Sequence, residues 1–284
     1  MLNSRSLFRS LKLAVASLAI LAMANYPALG QRGGGGGGRH SSPEEAEYQD
    51  EVNQGVEAYK ANHLDEAIRH FQKAVQLEPV RPLAKRYLGT VMAQKVLPGV
   101  VTPANLRIAQ ESIRIFQDLL QIAPHDVYSI RQIAGIEFEI GKLDDAKTMQ
   151  KRLLAENPKD VEAAFKIGVI DLLQVRHNAL TALKAAGLVD DGKGNAAAPA
   201  AVKESIKTQN TPLVEEALLY LNQAVENRPD YVDAMDSLNF AYKKKAELDI
   251  ANEAARLDDL AKADEWMRKA SEAKKAAETQ AAKP

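Results

Sequence analysis

Residues 55–79 read GVEAYKANHLDEAIRHFQKAVQLEP. The stretch ends on a proline, which lacks the amide donor and clashes with the preceding turn, so Pro79 stops a helix. Phe71, Ala74 and Pro79 set a spacing of three and then five residues, and the same ruler fits downstream. It falls on Phe116, Leu119 and Pro124, on Gln150, Leu153 and Pro158, and on Leu221, Ala224 and Pro229. Such internal spacing is the signature of a repeat architecture. The prolines lie 45, 34 and 71 residues apart.

The quoted stretch closely resembles the tetratricopeptide repeat. That family pairs antiparallel helices, with small residues where they cross and a proline after the second. The resemblance implies that Gly55 and Ala67 make the close contact and that Tyr59, Phe71 and Ala74 fill the space between the helices. Ten residues after each proline stand Gly89, Ala134, Gly168 and Asn239. Three of these are small, as the crossing requires, and Asn239 departs from the pattern. The 34-residue interval equals the family period, and the other two exceed it by 11 and 37 residues. The predicted fold is all-α, a right-handed superhelical solenoid of antiparallel helix pairs, with insertions near 95–106 and 177–212.

The first insertion carries Pro98, Gly99 and Pro103, which mark a loop. The second centres on DDGKGNAAAPA, a turn-forming stretch of low complexity, with a short helix expected over Ala200–Lys207. After Pro229 no glycine or proline appears before Pro284. A terminal helix pair is therefore predicted within 231–281, from about Val232 to Leu248 and from about Arg256 to Ala281. The second helix is expected to bury Leu260, Ala263, Met267 and Ala270 on one stripe. A charged terminal pair suits the capping unit that a solenoid needs. The segments DAMDSLNFAYKKKA and ADEWMRKA are similar to the end of a group of exported bacterial tetratricopeptide proteins.

Residues 1–30 read as a secretory signal peptide. Arg5, Arg9 and Lys12 are its basic start, Leu13–Ala24 its apolar run, and Ala28-Leu29-Gly30 a cleavage site before Gln31. An apolar run of twelve residues is short for a membrane span, which needs about 20. An uncleaved anchor or an amphipathic start is the competing reading. Cleavage predicts an exported protein, periplasmic or secreted, with no stable membrane insertion. Residues 31–46, with six glycines at 33–38, read as a flexible linker, and 47–284 as the repeat domain. There is no cysteine, which excludes disulfides, thiol catalysis and cysteine-ligated zinc. The net charge of −1 gives no reason to expect a nucleic-acid partner.

No pattern for catalysis stands out, and neither cofactor nor metal is expected. The histidines, His40, His63, His70, His125 and His177, form no His-x-x-x-His pair. Asp65-Glu66 and Asp144-Asp145 recur at the start of second helices, where negative charge complements the helix dipole. Asp190-Asp191 lies in a glycine-bearing loop but lacks the ligand alternation of a calcium loop. The lone Trp266 reads as a packing residue.

In the repeat family the first helix of each pair lines a concave groove. Register then picks out Gln49, Val52, Val56 and Lys60; Arg86, Thr90 and Gln94; Tyr128, Arg131 and Glu139; Glu162, Phe165, Val169 and Leu173; and Asp233, Asp236, Phe240 and Lys244. The candidate protein-binding residues are Val52, Val56, Arg86, Thr90, Tyr128, Arg131, Phe165, Val169 and Phe240. Aromatics and arginines of this kind anchor interfaces. Phe165, Val169 and Phe240 fit a core role equally well, because groove and core stripes adjoin on a helix. The expected partner is a protein or peptide, held between Tyr128 and Phe165 by an adaptor or scaffold. The alternative is a structural subunit of a cell-envelope or secretion assembly. On this reading, replacing Arg86, Tyr128 and Arg131 together abolishes capture without unfolding the chain.

Overall fold

The computed structural model describes residues 42–249 and 251–281, so the signal read at 1–30 and the glycine run lie outside the described residues. Among the described residues there are ten α-helices and no strand. The described residues divide into two compact units, one up to Met149 and one from Gln150 on.

The first unit contains α1 (Pro43–Lys60), α2 (Leu64–Leu77), α3 (Pro82–Gln94), α4 (Pro103–Ile122) and α5 (Val127–Glu139). The helix α6 (Leu143–Glu156) begins in it and runs on past its boundary. Helix α1 starts four residues inside the segment read as linker. Ser42 caps it by accepting the Glu45 amide at 3.2 Å, and Pro43 takes the first-turn position, where a missing N–H costs nothing. Tyr48, Val52, Phe71, Ala74, Tyr87, Leu88 and Val91 form one core across α1, α2 and α3.

The proline ruler marks real helix ends. Helices α2, α4, α6 and α8 stop at Leu77, Ile122, Glu156 and Asn227, each two residues before its proline. The same closing bond recurs at each: the amides of Glu78, Ala123, Asn157 and Arg228 donate to Ala74, Leu119, Leu153 and Ala224 at 2.9–3.0 Å. A matching turn follows, with the amides of Arg81, Asp126, Asp160 and Tyr231 donating to Glu78, Ala123, Asn157 and Arg228. Repetition at this level identifies one structural unit used several times.

The small residues sit at close approaches. A Cβ on Gly55 would lie 2.6 Å from the Phe71 ring, one on Gly89 2.9 Å from the Phe116 ring, and one on Gly168 2.5 Å from Leu221 Cγ. Ala67 and Ala134 are fully buried. The exception, Asn239, is also buried, and its Nδ2 donates to the Ala263 carbonyl at 2.6 Å. A hydrogen bond across the crossing thus replaces close backbone contact.

The second unit contains α7 (Val161–Ala185), α8 (Ala200–Asn227), α9 (Val232–Leu248) and α10 (Glu253–Ala281). The long insertion differs from expectation. Most of it is helix, because α7 runs on to Ala185 and the helix starting at Ala200 continues unbroken past Lys207 and Pro212. Pro212 is exposed, as is Thr208, whose carbonyl loses its donor, so water can satisfy that carbonyl. Nearby, Asn210 Nδ2 donates to the Val175 carbonyl at 3.0 Å and Asn178 Nδ2 donates to Asn210 Oδ1 at 3.1 Å, tying α8 to α7. The first insertion is likewise split between loop 95–102 and the front of the 20-residue α4.

Helix α10 begins at Glu253, three residues before the expected start. Its buried stripe is Asp259, Ala263 and Ala270, with Trp266 half-buried and Met267 exposed. Ala263 and Ala270 are buried as expected, whereas Asp259, paired with Lys245 Nζ at 3.0 Å, is buried beside a half-buried Leu260. Among the described residues, no helix is long and apolar enough to cross a membrane.

Candidate protein-binding surface

The nine candidate residues divide by burial. Val52, Thr90, Phe165 and Val169 are buried, at 3, 2, 6 and 2 % exposure, so they present no surface. For Val52 and Thr90 this corrects the expectation that they line a groove, whereas Phe165 and Val169 take the core role that their register also allowed. The reason is the one that made the residues ambiguous, since the stripe facing the neighbouring helices lies beside the stripe facing solvent. Val56, Arg86, Tyr128, Arg131 and Phe240 are half-buried.

In the first unit, Arg86, Thr90 and Tyr128 interlock α3 with α5. The Arg86 guanidinium lies 5.2 Å from the centre of the Tyr128 ring and 3.2 Å from Asp126 Oδ2. Thr90 Oγ1 donates to the Arg86 carbonyl at 2.8 Å, which leaves it to accept the Tyr128 hydroxyl at 2.6 Å. The Tyr128 ring packs edge-on against Phe116 at 6.1 Å, and burial pushes its hydroxyl pKa above the usual tyrosine value. Arg86 and Tyr128 are therefore structural as well as surface residues. Replacing both, with Arg131, should weaken the fold and would not leave it intact.

Two similar clamps were not anticipated. Arg81 lies 4.8 Å above the Tyr48 ring and donates through both terminal nitrogens to the Glu45 carboxylate, with Nη1 at 2.8 Å from Oε1. In the second unit, Arg228 lies 4.4 Å from the Tyr231 ring centre and pairs with Glu162 Oε1 at 3.1 Å. The Tyr231 hydroxyl donates to Glu162 Oε2 at 3.2 Å, and its ring packs on Phe165 at 4.9 Å. Burial raises the Tyr231 pKa, and the Glu162 charge adds to it. Each clamp joins an arginine, a tyrosine and a carboxylate around the start of a first helix. A sequence signal existed, because Arg81 and Arg228 lie within two residues of repeat prolines and Tyr231 follows Pro229 at the same distance.

The exposed remainder of the first-helix faces is mostly polar. Gln49, Lys60 and Gln94 are exposed in the first unit. In the second, the half-buried Phe240 ring carries Lys244 Nζ 5.3 Å from its centre, and Lys244 pairs with Glu247 at 2.7 Å. Tyr128 and Phe165 belong to different units, each with its own aromatic neighbour.

The acidic pairs have structural roles. Asp65-Glu66 and Asp144-Asp145 occupy first turns of α2 and α6. In loop 186–199, Asp190 accepts the Gly192 amide at 2.9 Å and Asp191 accepts the amides of Lys193 and Asn195 at 2.8 and 2.9 Å. Those bonds hold the Asp191 carboxyl below its usual pKa. His63 is exposed at the start of α2, and His70 lies 2.7 Å from Glu51. Among the described residues no group of three histidines or carboxylates is placed to hold a metal ion.

Residues 52–98 match the family model for the tetratricopeptide repeat. No curated protein sequence matches the chain. Among solved structures, the fold resembles a double mutant of MamA RS-1, with a TM-score of 0.55 and 14 % identity over 82 % of this chain and 97 % of that one. It also resembles MamA residues 41 to the end from Desulfovibrio magneticus RS-1, with a TM-score of 0.53 and 15 % identity over 81 % and 96 %. A further MamA crystal structure gives 0.53 and 14 % over 81 % and 92 %. At this identity the likeness concerns the fold.

Proposed function

We propose that this tetratricopeptide-repeat protein is an exported, non-catalytic adaptor or scaffold that binds a segment of another protein on the first-helix faces of its repeats. The observation that carries the reading is pre-organisation. In the first unit Asp126 holds the half-buried Arg86 and Tyr128 side chains in fixed positions on α3 and α5, and in the second Glu162 holds the half-buried Tyr231 ring at the start of α9. Side chains already immobilised lose less entropy on binding, and aromatics and arginines supply most interface energy. Phe240, half-exposed under Lys244, is the apolar anchor of the second unit. Export rests on the basic start, the apolar run and the small-residue cleavage site within residues 1–30.

The test is to capture the partner from the native host and measure its affinity for two variants. Phe240→Ala should weaken binding tenfold or more, whereas Leu219→Ser, at an exposed position on the second helix α8, should leave it unchanged. Equal affinities for both variants would count against the first-helix faces. Intact-mass measurement of the mature protein should place its first residue at Gln31, and retention of residues 1–30 would remove the cleavage reading and leave the uncleaved anchor or amphipathic start.

A further inference from the structure

The last turn of α5 contains a carboxylate in an unusual setting. Glu137 is 7 % exposed, and its Oε2 is buried without a hydrogen-bond partner. Ionising it there leaves a desolvated charge unpaired, and the negative end of the helix dipole adds to the cost. The charged groups acting on it come from the start of α6 and the turn before it: Asp145 repels its charge and Lys142 partly offsets that. Burial is the larger cause, and together they push the carboxyl up to about 7.

The same turn holds the inserted loop. Two residues beyond Glu137, the Glu139 carbonyl accepts the Gly99 amide at 2.8 Å. Gly99 sits at φ +72°, a left-handed conformation natural to glycine. From α4, Asn105 accepts the Leu97 amide at 2.8 Å and donates to the carbonyls of Leu97 and Val100 at 3.0 and 2.7 Å. Lys95, at the start of the loop, is engaged with Asp65. The loop presents Leu97 and Val101 to solvent, at 57 and 70 % exposure.

We propose that the end of α5 is a proton-controlled latch, in which protonated Glu137 keeps loop 95–102 seated through the Gly99–Glu139 bond and ionised Glu137 loosens that turn and releases the loop. The sign follows from the raised carboxyl. The closed turn binds the proton more tightly than the open one, so closure is favoured at low pH and lost as pH rises through about 7. Relative to an ordinary carboxyl at 4.5, that value caps the change in opening at roughly 300-fold.

The experiment follows the Gly99 amide in the full chain by hydrogen exchange from pH 5.5 to 8.5. Each rate is divided by that of an unprotected amide at the same pH, so that base catalysis cancels. Protection should fall at least tenfold in the wild type and stay level in Glu137→Gln. In Asp145→Asn the midpoint should move to lower pH. Level wild-type protection, or the same fall in Glu137→Gln, would overturn the latch. Should Glu137→Gln fail to fold, the ¹³C resonance of the Glu137 carboxyl in the wild type decides. A midpoint near 7 shared with the Gly99 amide supports the latch, and one near 4.5 overturns it.

Discussion

Two glycines in first helices should respond in opposite ways to the same substitution. Gly135, in α5, has open space where a Cβ would go, with nothing within 4 Å. Alanine there lowers backbone entropy in the unfolded chain and should stabilise by up to about 1 kcal/mol. Gly168, in α7, has no such room. An added Cβ would lie 2.5 Å from Leu221 Cγ, 2.9 Å from Leu221 Cδ2 and 3.2 Å from the Ala217 carbonyl. Cγ is near the root of its side chain and the carbonyl belongs to a helix, so neither yields cheaply. Overpacking of this kind costs about 1–3 kcal/mol. Set against the helix-propensity gain of about 1 kcal/mol, Gly168→Ala should forfeit the whole of that gain and be destabilising by up to about 2 kcal/mol. The assay is urea unfolding followed by circular dichroism, with hydrogen exchange on α7 peptides assigning the change to the second unit. Trimming the obstacle supplies a control. Leu221→Ala alone should cost about 2–5 kcal/mol, and Gly168→Ala added to it should cost less than it does in the wild type, because only the Ala217 carbonyl then remains in the way. If Gly168→Ala stabilised as much as Gly135→Ala, the helix crossing would be misplaced and the repeat register with it.

Other outcomes follow from single contacts. Gly89→Leu should destabilise by a few kcal/mol, since Phe116 and Ile115 occupy the space, and its melting temperature should fall accordingly. Tyr128→Phe removes the donor to Thr90 and should cost ~1 kcal/mol in urea unfolding, while keeping the ring packing against Phe116. Asn105→Ala removes three hydrogen bonds to loop 95–102 and should cost about 2–3 kcal/mol, with exchange protection lost at the Leu97 amide. Glu51 is bonded to Lys73 and His70 at 2.7 Å each, and these partners outweigh burial to lower its pKa from 4.5. Its contribution is present above pH 4.5 and disappears as pH falls through the depressed value. Glu51→Gln should therefore lower the melting temperature at pH 7 and make little difference at pH 2.

The fold was legible wherever a residue type has one dominant physical consequence. Prolines 79, 124, 158 and 229 each follow a helix end by two residues, where the missing amide and the ring disfavour another turn, and Gly55, Gly89 and Gly168 lie where a Cβ has no room. The pattern misled where context overrides preference. The helix expected over Ala200–Lys207 runs on to Asn227 through Pro212, since an exposed helix face lets water take the freed carbonyl. Asn239 looked like a failure of the repeat, yet its amide bridges α9 to α10. The binding surface was less legible than the fold. Heptad position separates Val56 from Val52 by one helical turn, and only the packing of neighbouring helices shows that Val52 is core and Val56 only partly covered. Register places Thr90 on the groove face, but it is buried, with Tyr128 and the Arg86 carbonyl satisfying its hydroxyl. The arginine clamps depend on long-range contacts over 33 to 69 residues, such as Tyr48 with Arg81 and Glu162 with Tyr231, which periodicity does not encode.

The claim that the first-helix faces receive another protein can be tested without knowing the partner. A photo-crosslinking amino acid would be placed singly at Gln49, Lys60, Gln94 and Phe240 on first helices, and at Arg114 and Leu219 on second helices, in the native host. Adducts of one recurring mass should form from the first-helix positions and not from the second-helix positions. Adducts of that mass from the second-helix positions alone, or equally from both sets, would contradict the account.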